Sequence, residues 1–156
     1  MRQLALAIGA VGIALSVAAQ SKTNFAGVWV SVPDPASPSA ETELVIRQTD
    51  AELVMERQSS AGPYKLTYKL DGSETTNTIP GRGGAAANAT ATSVAAGEGN
   101  RLVIKTNIAR GTPPDVRTIR YREVLSIESD LRLVIEQSAS LAGGPTQTNR
   151  QVYRKK

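Results

Sequence analysis

The chain of 156 residues contains no cysteine and no histidine, and these two absences exclude several classes of function. Without cysteine there are no disulfides, so the hydrophobic core must stabilise the fold unaided. The soft ligands of the usual zinc and copper sites are missing, as are the commonest general base and the Ser-His and Cys-His nucleophile pairs. We therefore expect no metal and no cofactor. An enzyme of this composition would have to use carboxylates, lysine, tyrosine or arginine.

The chain also lacks a strong excess of charge of either sign. Eighteen Lys and Arg residues stand against 14 Asp and Glu residues, and the formal net charge is +4. The basic residues are scattered along the sequence, whereas a nucleic-acid-binding face needs them clustered, with aromatic residues for stacking on bases. We therefore expect no nucleic-acid partner.

Aromatic residues are scarce, at 4% of the chain, and the only Phe and the only Trp fall in one stretch, residues 25–32. Large aromatic side chains bury the most apolar area per residue, so this stretch predicts the first strand and the densest packing. Gly27, two residues before Trp29, allows another part of the backbone to come close to the ring. We predict that Trp29 plugs one end of the fold without contacting a ligand.

The amino-terminal segment predicts export. Arg2 supplies a positive charge, residues 4–17 are uncharged and mostly apolar, and small residues at 17–19 precede a cleavage site. The apolar run is 14 residues long, whereas a helix needs about 20 to cross a bilayer, so a removed signal fits better than a membrane anchor. We predict a signal peptide over residues 1–19 and a single domain over residues 20–156. The mature form would be secreted or periplasmic, with no integral membrane anchor.

Alternation of apolar and polar residues predicts an all-β fold. In residues 64–70, tyrosine and leucine alternate with lysine and threonine, which indicates a strand with one buried face and one in water. Most of the mature chain has this pattern, with short turns, but Thr75–Ile79 and Ala91–Ala95 show it only weakly. No segment shows a convincing helical period.

Sequential hairpins form a meander, and a long meander removes its exposed edges by closing into a barrel. A sandwich is the main alternative, but it needs long connections between sheets. We predict a small antiparallel up-and-down β-barrel of about eight to ten strands.

The segment Asn24-Phe25-Ala26-Gly27-Val28-Trp29 resembles the Gly-x-Trp signature that opens lipocalin-type barrels. Residues 70–74, 102–104 and 150–154 also fit the rhythm of secreted bacterial lipocalin-like (calycin-type) proteins. The resemblance implies a barrel in which an arginine on a late strand packs across the tryptophan, a role that Arg150 or Arg154 could fill.

Three features depart from the related families. Lipocalins have a helix after the last strand, and this sequence predicts none there. Fatty-acid-binding proteins have a pair of helices after the first strand, and this sequence predicts none there either. Residues 150–153 also do not meet the Arg-x-Tyr carboxylate clamp of the latter family. The ligand of any one family therefore does not transfer to this chain.

Polar residues on the predicted inward faces are the candidate ligand contacts. Arg57 continues the face of Leu53 and Met55, Glu123 lies between Tyr121 and Leu125, and other faces continue in Gln48, Thr106 and Gln137. Placing a charge in the barrel interior costs free energy unless the charge is paired or hydrated. The predicted ligand-binding residues are Arg57, Tyr64, Tyr68, Tyr121 and Glu123. The predicted structural plug is Gly27, Trp29, Arg150 and Arg154.

A second interpretation of the same residues needs no ligand. Arg57 and Gln137 would lie in water at strand ends, and a bulge would turn Glu123 outward. We favour this interpretation because end residues are usually solvated. The tyrosines at 64 and 68 would then belong to the core.

The predicted function is a non-enzymatic binding protein that holds a small apolar or amphipathic molecule in the barrel. A barrel with a filled interior would instead be a protein-interaction or structural module, and a cavity of roughly 300 Å³ or more separates the two. A cofactor-free isomerase or hydrolase, with Glu123 and Tyr121 as acid and base, is the second alternative.

Overall fold

The computed structural model describes residues 23–35, 40–59, 62–81, 88–111, 114–141 and 144–156. The predicted signal peptide lies outside these ranges. Among the described residues, no helix is long and apolar enough to cross a membrane.

The described part of the chain forms one sheet of ten antiparallel strands. In chain order they are β1 (Gly27–Ser31), β2 (Glu43–Gln48), β3 (Glu52–Ser59), β4 (Gly62–Lys69), β5 (Glu74–Ile79), β6 (Ala89–Glu98), β7 (Arg101–Arg110), β8 (Arg117–Ile127), β9 (Leu133–Leu141) and β10 (Thr146–Lys155). Their spatial order is β4-β3-β2-β1-β10-β9-β8-β7-β6-β5, so the last strand returns to pair with the first. This up-and-down, nearly closed barrel confirms the predicted fold class. The two weakly patterned segments are strands β5 and β6.

The barrel is incomplete between β4 and β5, the two ends of the sheet. Here Asn77 acts as a backbone substitute: the Thr67 amide donates to Asn77 Oδ1 at 2.8 Å, and Asn77 Nδ2 donates to the Thr67 carbonyl at 2.9 Å. The Lys69 amide donates to Thr75 Oγ1 at 3.2 Å. These side chains pair edge groups that a closed ladder would otherwise pair, which blunts the two exposed edges.

The inward apolar residues fill one end of the barrel. Trp29 is 3% exposed, and its indole N–H donates to the Phe25 carbonyl at 3.0 Å, so the polar atom of the ring is satisfied. Completely enclosed members of the same cluster include Ile46, Leu53, Met55, Ile104, Leu125 and Leu133. The single indole thus lies within the packed end of the barrel.

The cation over the Trp29 ring is Lys155, whose Nζ lies 5.7 Å from the ring centroid. This corrects the sequence-based assignment of Arg150 or Arg154. Lys155 on β10 is the Cα partner of Trp29 on β1. It lies two residues from buried Tyr153 and therefore on the same face of β10. Arg150 and Arg154 alternate onto the outer face. Arg150 pairs there with Glu128 at 2.6 Å, and Arg154 pairs with Glu41 at 3.1 Å.

Gly27 makes room for this stack. A Cβ at this position would lie 3.2 Å from Lys155 Cε and 3.3 Å from Trp29 Nε1, both tighter than ordinary contacts. The close approach that the sequence suggested therefore exists, but it involves two side chains rather than a second stretch of backbone.

Candidate functional site

Beyond the apolar cluster, the barrel encloses a cavity of about 480 Å³ to which each strand from β3 to β9 contributes. Its apolar walls include Leu66, Ile79, Ala91 and Ile108. The interior is therefore not filled, and the volume lies within the roughly 300–1,000 Å³ typical of small-molecule sites. This result favours a ligand-binding barrel over a packed interaction module.

A buried ion pair crosses the interior where the packed end meets the cavity. Arg57 Nη2 donates to Glu123 Oε1 at 2.8 Å, and Gln137 Nε2 donates to the same oxygen at 3.1 Å. The Arg57 and Glu123 side chains are 19% and 7% exposed. Each of the three polar residues occupies the next inward position beyond a core residue of its strand, after Met55 on β3, before Leu125 on β8, and after Ile135 on β9. They form a polar floor beneath the cavity.

This geometry overturns the interpretation that we favoured from the sequence. Glu123 is only 5% exposed, and its ladder is regular, with Ile104 opposite it on β7 and Gln137 opposite it on β9, so no bulge turns it outward. The partner that offsets the cost of burying its charge is Arg57, 66 positions away in the chain. A single-strand pattern does not contain that information.

Burial or neighbouring charges raise the pKa values of Arg57, Tyr68 and Tyr153 in the barrel interior. Burial opposes the charge on Arg57, but attraction to Glu123, with smaller effects from Tyr68 and Tyr64, raises the pKa of Arg57 above its usual value. Burial raises the pKa of the Tyr68 hydroxyl, and Glu123 raises it further while Arg57 opposes the shift. Burial is also the main cause of the raised pKa of Tyr153.

All five predicted ligand-binding residues line the same cavity, the one inside the barrel. Arg57 and Glu123 form its floor, Tyr68 is buried beside them, and Tyr64 and Tyr121 are half-buried in its wall. The structure thus brings these five residues together, and their contact with a ligand stays a prediction. Of the predicted plug, Gly27 and Trp29 lie at the packed end and Trp29 does not line the cavity, whereas Arg150 and Arg154 lie on the outer face.

Ser93 and Arg110 are among the cavity residues that the sequence analysis missed. Ser93 Oγ and Thr106 Oγ1 lie 2.8 Å apart and satisfy one another in the wall formed by β6 and β7. Only Thr106 had been noted from the sequence. Ser93 could have been found because it alternates with Ala91 and Ala95, and Arg110 because it extends the inward face of Ile108. Both signals depend on knowing which face is inward.

The described residues contain no group of three or more acidic, cysteine or histidine side chains that could hold a metal ion. The polar groups that line the cavity are guanidinium, carboxylate, amide and hydroxyl groups, which can bind organic ligands by hydrogen bonds and charge.

No protein-family model matches this sequence, and no similar sequence is found among curated proteins. Among solved structures, human cRBP IV, a cellular retinol-binding protein, is similar with a TM-score of 0.53. The match covers 86% of this chain and 99% of that chain at 16% sequence identity. The likeness at this identity is one of fold, and it supports a calycin-like barrel.

Proposed function

We propose that this protein binds a small apolar or amphipathic molecule inside the barrel and does not catalyse a reaction on it. The observation that carries the proposal is the cavity of about 480 Å³, whose walls combine aliphatic side chains and tyrosine rings with a few polar groups above a paired polar floor. Apolar walls supply most of the binding free energy in such sites, and a few polar groups fix the orientation of the ligand. The fold likeness to a protein named for binding retinol is consistent with this role.

The predicted site residues take distinct parts in this proposal. Arg57 and Glu123 would orient a polar group of the ligand, and the rings of Tyr64 and Tyr121 would contact its apolar body. Tyr68 would offer a neutral hydroxyl beside the floor. Because the amino-terminal segment has the pattern of a removed signal, we extend the proposal to a secreted or periplasmic carrier.

The alternative of a cofactor-free isomerase or hydrolase is less well supported. Glu123 Oε1 accepts hydrogen bonds from both Arg57 and Gln137, so one oxygen of this carboxylate is held in an ion pair, which leaves Oε2 as the free oxygen. A free oxygen is not enough for a general base, which also needs a pKa suited to proton transfer and a place within hydrogen-bond reach of the proton that it abstracts. Tyr121 and Glu123 share the cavity, but shared location does not make an acid–base pair.

A cavity-filling substitution tests the proposal. Ala91 is 1% exposed and lines the cavity, so Ala91→Phe would place a ring in it. Titration with Nile red, a neutral apolar dye that fluoresces in apolar sites, is expected to show at least about tenfold weaker binding to this variant than to wild type. Thr92→Phe is the matched control, because Thr92 alternates to the outer face of the same strand and should leave binding unchanged.

Circular dichroism and thermal melting would establish that both variants are folded. Should Ala91→Phe fail to fold, Ile108→Phe enlarges another residue of the cavity wall and serves the same purpose. A folded cavity-filling variant that binds Nile red as tightly as wild type, or a wild type that binds none, would refute the proposal.

A further inference from the structure

The polar floor has unused hydrogen-bonding capacity of both kinds. Arg57 uses Nη2 for Glu123 Oε1 and Met55 Sδ, and Glu123 accepts both of its hydrogen bonds on Oε1. Among the described residues, Arg57 Nη1 and Glu123 Oε2 have no partner, and neither is among the fully occluded polar atoms. Because both residues line the cavity, the floor offers a ligand one open donor and one open acceptor.

A carboxylate is a poor match for this floor. It would supply acceptors to Arg57 Nη1, but it would also bring a second negative charge beside Glu123, and like charges in a shared site repel. A neutral group that both donates and accepts, such as a hydroxyl, satisfies both open atoms without adding charge.

A second polar feature lies at the other end of the cavity. Arg110 is the last residue of β7, lines the cavity, and forms no ion pair or hydrogen bond within the described part of the chain. Its Nε is buried without an acceptor, whereas its terminal nitrogens are not occluded. Since Arg57 is compensated by Glu123, Arg110 leaves the cavity with an unbalanced positive charge.

From these two features we propose that the ligand is bipolar, with a neutral hydroxyl-type group on the Arg57–Glu123 floor, an apolar chain along the walls, and an anionic end at Arg110. This inference rests on the proposed function and adds the chemical class of the ligand. Charge-assisted hydrogen bonds to a guanidinium are stronger than neutral ones, so the anion contributes affinity and sets the orientation.

The distance between the two features suits an extended chain. Ile104 is the Cα partner of Glu123, and Arg110 follows it by six residues on β7. At about 3.3 Å per residue this separation is ~20 Å along the strand, or ~15 Å along the barrel axis for strands tilted by about 40°. Ala91 and Ile108, which are Cα partners, lie in the wall between these levels, and Ile79 lines the cavity near the level of Arg110.

Three probes of equal chain length separate the two polar ends. Dodecan-1-ol carries only the hydroxyl, dodecanoic acid only the anion, and ω-hydroxydodecanoic acid carries both. Displacement of Nile red from wild type is expected to show ω-hydroxydodecanoic acid binding about tenfold more tightly than either of the others. Equal or tighter binding of dodecanoic acid would overturn the floor assignment.

Substitution at Arg110 tests the anionic end. Arg110→Gln is expected to weaken binding of ω-hydroxydodecanoic acid about tenfold or more and to leave dodecan-1-ol unchanged. The matched control is Lys105→Gln, which removes one positive charge from the exposed face of the same strand. If the two variants have equal effects, the charge at the cavity mouth is not the determinant and the assignment of Arg110 is refuted.

At the floor, the double substitution Arg57→Leu with Glu123→Leu removes the open donor and acceptor together without leaving a lone buried charge. In this variant ω-hydroxydodecanoic acid is expected to lose its advantage over dodecanoic acid, and a retained advantage would contradict the inference. Failure of the inference is distinguishable from failure of the proposed function. In the first case Nile red binds wild type but the three probes do not rank as stated, and in the second Nile red itself does not bind.

Discussion

Replacing Glu123 by glutamine tests whether the Arg57–Glu123 pair is a matched unit. The substitution keeps the size of the side chain and an oxygen that can accept from Arg57, but it removes the negative charge. Arg57, whose side chain is 19% exposed, would then hold an uncompensated charge in the barrel interior. The free energy of unfolding should fall accordingly.

The magnitude follows from the burial of the pair. Breaking a fully buried pair by removing one partner costs about 3–5 kcal/mol. The cavity borders this pair and its open atoms stay accessible, so we expect a smaller loss of about 2–3 kcal/mol for Glu123→Gln. Replacing both residues by leucine removes the charge imbalance, and we expect that double variant to lie within about 1 kcal/mol of wild type.

Urea unfolding followed by the fluorescence of Trp29 measures these differences, because this residue is the only tryptophan and is buried. A loss of about 2–3 kcal/mol lowers the urea midpoint by ~1–2 M for a domain of this size. Glu41→Gln is the control: Glu41 pairs with Arg154 in an ion pair whose side chains are 53% and 55% exposed, and its loss should cost less than about 1 kcal/mol. The reasoning is refuted if Glu123→Gln is no more destabilising than Glu41→Gln.

Two further predictions concern the raised pKa of Tyr68 and the gap between β4 and β5. The unfolded chain loses the Tyr68 proton near pH 10, before the folded protein does, so this residue's stabilisation is complete below that pH and declines above it. Tyr68→Phe should therefore flatten the fall of the urea midpoint between about pH 9 and pH 11.5, and an unchanged slope would count against it. Asn77→Ala removes both partners of the Thr67 backbone and should cost about 1–3 kcal/mol while accelerating hydrogen exchange of the Thr67 amide. Thr78 is exposed on the same strand, so Thr78→Ala should change neither the free energy of unfolding nor the exchange rate of the Thr67 amide. A Thr67 amide that stays protected in Asn77→Ala would contradict the role assigned to Asn77.

Much of the fold follows from local alternation, because inward and outward positions of a strand differ in polarity wherever the interior is packed. The segment around Leu66 and the segments that supply Leu53 and Leu125 were found for this reason. Closure by pairing β1 with β10 was an inference about topology, drawn from short turns and the cost of open edges.

The pairing of charges across the interior was not predictable in the same way. Arg57 and Glu123 were identified as inward on pattern alone, but the choice between a solvated end and a buried pair depended on what faces each of them. Lys155 illustrates the same limit: whether it or Arg154 covers Trp29 depends on the register of β10 against β1. A shift of one residue exchanges the two faces of a strand.

The two strands that were hardest to predict, β5 and β6, both line the cavity, and their weak pattern and their place in its wall have one cause. The inward positions of β5 and β6 hold Asn77, Ala91 and Ser93, which are too small or too polar to give a strong hydrophobic pattern. Large aliphatic residues at these positions would have made the pattern clear and would also have filled the interior, as they do at the packed end. A barrel that keeps space for a ligand must therefore contain strands with weak hydrophobic alternation. It needs other means to hold them, and here these are the Asn77 bridge to Thr67 and the Ser93–Thr106 hydrogen bond.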